Sequence, residues 1–137
     1  KLNFKVALHS MKPGSLKNID FYIVDTFGET KKFHEISCSV FLGGSIIKRG
    51  GQNPLEAARF GAKILHGPNT DNFKDVYKLL KSLNVSKKIK SSNELASSIK
   101  FKRKKSLGNK IKIIGEKIIK KTIKELDSII YNEIKKA

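Results

Sequence analysis

The chain has 137 residues, 39% of them apolar, and a formal net charge of +17. That is enough for one packed domain and too little for two ordinary ones, and the composition is globular rather than disordered. No run approaches the roughly 20 apolar residues of a membrane-spanning helix, no signal-peptide pattern is read at the start, and neither a disulfide nor a metal cluster is expected from the lone Cys38 and the scattered His9, His34 and His66.

In chain order, Phe4–Leu8 reads as a strand and Lys12-Pro13-Gly14-Ser15 as a turn. Asp20–Asp25 (DFYIVD) is a second strand, nearly continuous in apolar character as in a sheet covered on both faces. A short helix is expected over Phe33–Ser37, and Ser39–Leu42 (SVFL) is a third strand that runs into Gly43-Gly44. After the glycine-rich stretch a helix start is well marked: Asn53 as cap, Pro54 at the first helical position, and Glu56 completing a capping box. Gly61 is the expected terminator. Lys63–His66 reads as a fourth strand, Gly67-Pro68-Asn69 as a turn, and Asn72–Ser82 as a helix with Phe73, Val76, Tyr77 and Leu80 on one face. Strands alternating with helices in this way predict a Rossmann-like parallel sheet with flanking helices.

Beyond Asn84 the texture changes. A short strand is expected within Val85–Ile89, then a helix capped by Ser91 and Glu94 that runs to about Lys104. Ser106-Leu107-Gly108 is read as a break before a long helix from about Asn109 to Lys136, whose isoleucines keep helical spacing opposite a lysine-rich face. We expect the isoleucine face to pack on its own domain. The organisation expected is thus a single domain over 1–137, with the sheet and binding region in 1–90 and basic helices in 91–137. The charge follows a similar division: residues 1–80 carry a net +5 and residues 81–137 a net +12. Such a tail favours anionic partners, but it lacks interleaved aromatics and any nucleic-acid module, so no nucleic-acid function is assigned.

The chemistry concentrates in Gly43 to Glu56. It follows a strand and precedes a helix, where the groove beyond strand C-termini takes ligands in open parallel sheets. The pairs Gly43-Gly44 and Gly50-Gly51 allow close backbone approach and offer amide donors. A helix N-terminus suits a phosphate, and Glu56 in its first turn can accept hydrogen bonds from a ribose diol. A phosphate beside a diol means a nucleotide. The stretch is neither a Walker loop nor the G-x-G-x-x-G fingerprint.

The segment Phe41 to Phe73, FLGGSIIKRGGQNPLEAARFGAKILHGPNTDNF, resembles the hallmark segment of 3-deoxy-D-manno-octulosonic acid (Kdo) transferases, and Asp25-Thr26-Phe27-Gly28-Glu29 resembles that family's D-T-x-G-E motif. The resemblance implies the incomplete C-terminal domain of a GT-B glycosyltransferase that moves Kdo from CMP-Kdo to a lipid A precursor at the cytoplasmic face of the bacterial inner membrane. It places Phe27, Gly28 and Glu29 at the cytidine, and Asn53, Pro54, Leu55 and Glu56 at phosphate and ribose. Gly43, Gly44, Gly50, Gly51 and Gln52 would shape the loop, with Arg49 near an anionic group. Gln52 and Asn69 stand where many members have histidine. No metal or other cofactor is expected. The catalytic carboxylate belongs to the family's N-terminal domain, so this chain is expected to need that domain as a partner and to be inactive alone. A peripheral contact with anionic membrane completes the expectation. Two alternatives stand beside it: another GT-B sugar-nucleotide enzyme using a uridine nucleotide, and a basic anion- or nucleic-acid-binding module.

Overall fold

A computed structural model describes residues 3–48 and 50–135, apart from the side chain of residue 133. The chain divides into two compact units, Lys1–Phe33 and His34–Ala137. Its parallel strands form two small sheets rather than one continuous sheet.

In the first unit, β1 (Val6–Leu8) pairs in parallel with β2 (Phe21–Ile23). Two carboxylates close the pair at its ends. Asp20 accepts the Lys5 N–H at 2.8 Å. Asp25 accepts the Ser10 N–H at 2.9 Å and the Ser10 hydroxyl at 2.6 Å, and these two bonds hold its carboxyl below the ordinary carboxylate range. No described residue of this unit is buried; cohesion comes from ring contacts, with Phe4 edge-on to Phe21 and His9 edge-on to both Tyr22 and Phe33. The helix α1 (Thr30–Ile36) begins here, and the unit boundary falls inside it.

The second unit has a conventional core. Its sheet, β3 (Ser39–Leu42), β4 (Lys63–His66) and β5 (Ser86–Lys88), is parallel throughout in the order β3-β4-β5. Leu42 pairs with His66 and His66 with Lys88, so all three strands end at one edge. A short helix α2 (Leu55–Ala58) lies between β3 and β4, and α3 (Lys74–Ser82) between β4 and β5. Leu42, Ala57, Ala58, Ala62, Ile64, Tyr77, Leu80, Val85 and Ile111 form one buried cluster, with Phe73 and Val76 packed against it. The α3 face read from the sequence is therefore the face that packs.

Both strands of the first unit are shorter than expected, α1 opens three residues earlier than Phe33 and α3 two residues later than Asn72, and three further helices differ for identifiable reasons. α2 is a single turn, because Phe60 and Gly61 tighten onto Ala57 and Ala58 through three-residue bonds and Gly61 turns at φ +81°. The Ser91-capped helix α4 (Ser92–Ser98) stops well short of Lys104. Residues past it are held away from the helix by distant partners: Lys100 N–H donates to Ser39 Oγ at 2.8 Å and Lys104 N–H to the Gly61 carbonyl at 3.0 Å. Finally, α5 (Lys105–Ile134) contains Ser106-Leu107-Gly108 instead of following it. Gly108 lets the helix start lie against α2, since a Cβ there would come 2.6 Å from the Arg59 carbonyl oxygen.

The packing expected along α5 holds only for its first turns. Ile111 is buried, whereas Ile118, Ile119, Ile123, Leu126, Ile129, Ile130 and Ile134 are all more than half exposed. Among the described residues no helix is long and apolar enough to cross a membrane.

Candidate functional site

The predicted loop leaves β3 through a 3-10 turn, Gly43–Ser45. Ser45 is fully buried and ties two strand exits together: its hydroxyl donates to the Leu42 carbonyl at 2.5 Å and accepts the Gly67 N–H at 2.7 Å. Gly67 must be glycine on spatial grounds, because a Cβ would lie 2.6 Å from the Ser45 carbonyl oxygen. The first glycine pair touches the second, as a Cβ on Gly44 would lie 3.2 Å from the Gly50 carbonyl oxygen. Gly50 turns at φ +91°, a conformation that side-chain-bearing residues rarely adopt. Arg49 lies outside the described residues.

At the far end of the loop, Asn53 Oδ1 accepts the Leu55 N–H at 3.1 Å and Pro54 is buried behind it. The helix N-cap is Pro54 rather than the expected Asn53, whose side chain instead closes a local turn one residue before it. The capping box does not close. Glu56 is exposed, and among the described residues its carboxylate takes no hydrogen bond, so it is open to a ligand. The first helical bond here runs from the Ala58 N–H to the Pro54 carbonyl at 3.2 Å. With only one turn of helix behind it, the dipole at this N-terminus is small, and phosphate would rely on individual N–H groups. Gln52 is exposed, and so are Ile46 and Ile47, which leaves the crown of the loop facing solvent.

Not every glycine offers its amide. The Gly51 N–H donates to Asn72 Oδ1 at 3.1 Å, and the Gly51 carbonyl accepts from Asn72 Nδ2 at 2.7 Å. Asn69 holds the near end: its N–H reaches the Ser45 carbonyl at 2.9 Å, and its Nδ2 the carbonyls of Ser45 and Ile46 at 3.2 and 3.0 Å. Sequence reasoning does not single out Ser45, Asn69 and Asn72 as site residues. The only signal available is that asparagine favours turns; partners more than 20 residues away leave no local pattern.

Beneath the loop, His66 and Tyr77 are buried with ring centroids 4.3 Å apart. His66 Nδ1 bonds the Gly67 carbonyl at 2.8 Å, and burial lowers the imidazole pKa from its ordinary 6.5. Burial also pushes the Tyr77 hydroxyl up to about 12, and that oxygen has no hydrogen-bond partner among the described residues. Cys38 is half-buried.

The remaining predicted residues lie in the first unit. Phe27 is fully exposed. Gly28 turns at φ +83° with nothing near the position of a Cβ, so the glycine serves backbone conformation rather than space. The Glu29 carboxylate pairs with Lys32 Nζ at 2.9 Å, and that contact holds its carboxyl below the ordinary range. The Glu29 carbonyl accepts from Lys32 and Phe33, opening α1.

The class defined by this architecture is an α/β domain of parallel strands with a loop site at the strand C-termini. The C-terminal CMP-Kdo binding domain of WaaA from Acinetobacter baumannii has the same fold: TM-score 0.64 over 69% of this chain and 50% of that chain, at 23% identity. In sequence the chain is a relative of 3-deoxy-D-manno-octulosonic acid transferases, which bears out the resemblance drawn from Phe41–Phe73. It is 36% identical to the Rickettsia typhi transferase over 101 residues, 74% of this chain and 22% of that protein. Identity to the Rickettsia bellii transferase is 40% over 82 residues, 60% of this chain and 19% of that protein. With the Haemophilus influenzae transferase it is 36% over 64 residues, 47% of this chain and 15% of that protein. The matching stretch thus spans about a fifth of the two rickettsial relatives. No protein-family model matches the chain.

Proposed function

We propose that this chain binds the nucleotide of CMP-Kdo and is the donor-binding part of a glycosyltransferase that moves Kdo onto a lipid A precursor. The observation that carries the reading is the kinship to Kdo transferases falling on a loop that the fold delivers to the strand C-termini, ending in an open carboxylate at Glu56. In this reading Asn53, Pro54, Leu55 and Glu56 hold phosphate and ribose. Gly43, Gly44, Gly50, Gly51 and Gln52 shape the approach, Arg49 meets an anionic group, and Phe27, Gly28 and Glu29 serve the cytidine. The Glu29–Lys32 pair leaves the base to backbone groups rather than to a free carboxylate.

Glu29 and Glu56 serve binding in this reading, the resemblance to Kdo transferases places the catalytic carboxylate on a further domain, and the chain alone is taken to be inactive. No metal takes part. The reading also places the intact enzyme at the cytoplasmic face of the inner membrane; the exposed apolar stripe of α5 beside Lys117, Lys120, Lys121 and Lys124 supports contact with an anionic lipid surface there. Calorimetric titration with CMP and UMP at about 0.15 M salt tests the donor assignment, the salt suppressing unspecific attraction to a +17 chain. Tighter binding of CMP is expected; equal, salt-sensitive binding of both overturns it.

A further inference from the structure

The glycine loop is held from outside by the connection between β4 and α3, and the hold is specific to an amide. Asn72 presents a donor and an acceptor side by side, and Gly51 receives both through its own carbonyl and N–H. Asn69 holds the near end through the carbonyls of Ser45 and Ile46. Between these two anchors lie the exposed Ile46 and Ile47 and the glycine at φ +91°. A stretch so rich in glycine loses much conformational freedom on ordering. A ligand that needs one arrangement binds more weakly in proportion to how seldom that arrangement is populated.

We propose that Asn72, assisted by Asn69, is a positioning residue that sets the loop for nucleotide binding while touching no ligand atom. This deepens the nucleotide reading and rests on it. By fixing Gly51 two residues before Asn53, the Asn72 amide sets where the Asn53 turn, the first N–H groups of α2 and the Glu56 carboxylate stand. It also removes the Gly51 N–H from the donors available to a phosphate.

Asn72→Asp provides the test, because it keeps shape and the acceptor but turns a second oxygen toward the Gly51 carbonyl. Protonation restores a donor at that position. In CMP titrations of the full chain at pH 7, N72D is expected to bind about tenfold more weakly than wild type. At about pH 3.9, the ordinary aspartate pKa at which half of the carboxyls are protonated, its affinity relative to wild type at the same pH is expected to recover in part. An N72D melting temperature at pH 7 close to that of wild type separates the effect from loss of the fold. Hydrogen exchange of the Gly51 amide, measured without ligand, is expected to be protected in wild type and unprotected in Asn72→Ala, which removes the oxygen that accepts it. Equal CMP affinity of wild type and N72D at pH 7, or no exchange difference at Gly51 between wild type and Asn72→Ala, overturns the inference and leaves the nucleotide reading standing. A protected Gly51 in a wild-type chain that binds no CMP overturns the nucleotide reading, and with it the positioning role.

Discussion

The two stretches that carry the family resemblance stand on different ground. Residues 43–56 grow from a sheet with a buried core, and the loop is tied at Ser45, Gly51 and Asn53 before any ligand arrives. Residues 27–29 follow a two-stranded pair in a unit where no described residue is buried, held by ring edges and by the carboxylates of Asp20 and Asp25. The same motif-level resemblance covers both, yet only one stretch is built with the density that fixes geometry in advance. The contrast implies that residues 43–56 hold their shape without a ligand, whereas residues 27–29 are fixed by fewer buried contacts.

The largest expected effects probe the core. Leu80→Ala in the second unit is expected to cost about 2–5 kcal/mol, whereas Phe21→Ala in the first is expected to cost under about 2 kcal/mol, since half of that ring is already in water. Urea denaturation of the two variants makes the comparison. The same contrast runs along α5: Ile111→Ala is expected to cost about 2–4 kcal/mol and Leu126→Ala less than about 0.5 kcal/mol, because only Ile111 belongs to the core. A large effect at Leu126 would mean that the outer part of the helix packs on something in solution.

Glu56→Ala is expected to weaken CMP binding about tenfold, roughly 1.4 kcal/mol, with the melting temperature unchanged, since the carboxylate makes no bond among the described residues. A fall in melting temperature would point to a capping role instead.

The smallest effects separate the units by pH. His66 has a folded pKa below its ordinary 6.5, so the unfolded chain takes up the proton first. Stability of the second unit is then full above about 6.5 and falls as pH drops toward the folded value. His66→Gln is expected to flatten that slope. Asp25 has its folded pKa lowered below 3.8, so its contribution is present above that value and lost only as pH falls through the lowered one. Amide signals followed from about pH 7.5 to about 3 are expected to show the second unit loosening before the Ser10–Asp25 link opens.

Much of the fold is legible because it depends on local chemistry. Ser39–Leu42 and Lys63–His66 carry the apolar runs of buried parallel strands, and Ser91 with Glu94 announces a helix start: Ser91 Oγ accepts the Glu94 N–H at 3.2 Å, and Glu94 reaches back to the Lys90 N–H at 2.9 Å. What is not legible depends on contacts distant in sequence. Nothing in Ile99–Lys104 forbids a helix, and it is the bonds to Ser39 and Gly61 that stop α4. Gly108 reads as a break, yet its missing side chain serves a close crossing inside a helix. The candidate site divides in the same way: Asn53 and Glu56 are readable from spacing, while the hold of Asn69 and Asn72 on the loop is not.

Whether a built nucleotide site exists is decided by mapping CMP onto the chain through backbone amide shifts during titration, in wild type and in Glu56→Ala. Saturable shifts concentrated in residues 43–56 are expected, with accompanying changes at 27–29 and a much weaker response at the same positions in the mutant. Shifts spread instead over the lysine-rich residues 100–124, equal in the two proteins and abolished by salt, would contradict such a site and leave only the attraction of a basic chain for an anion.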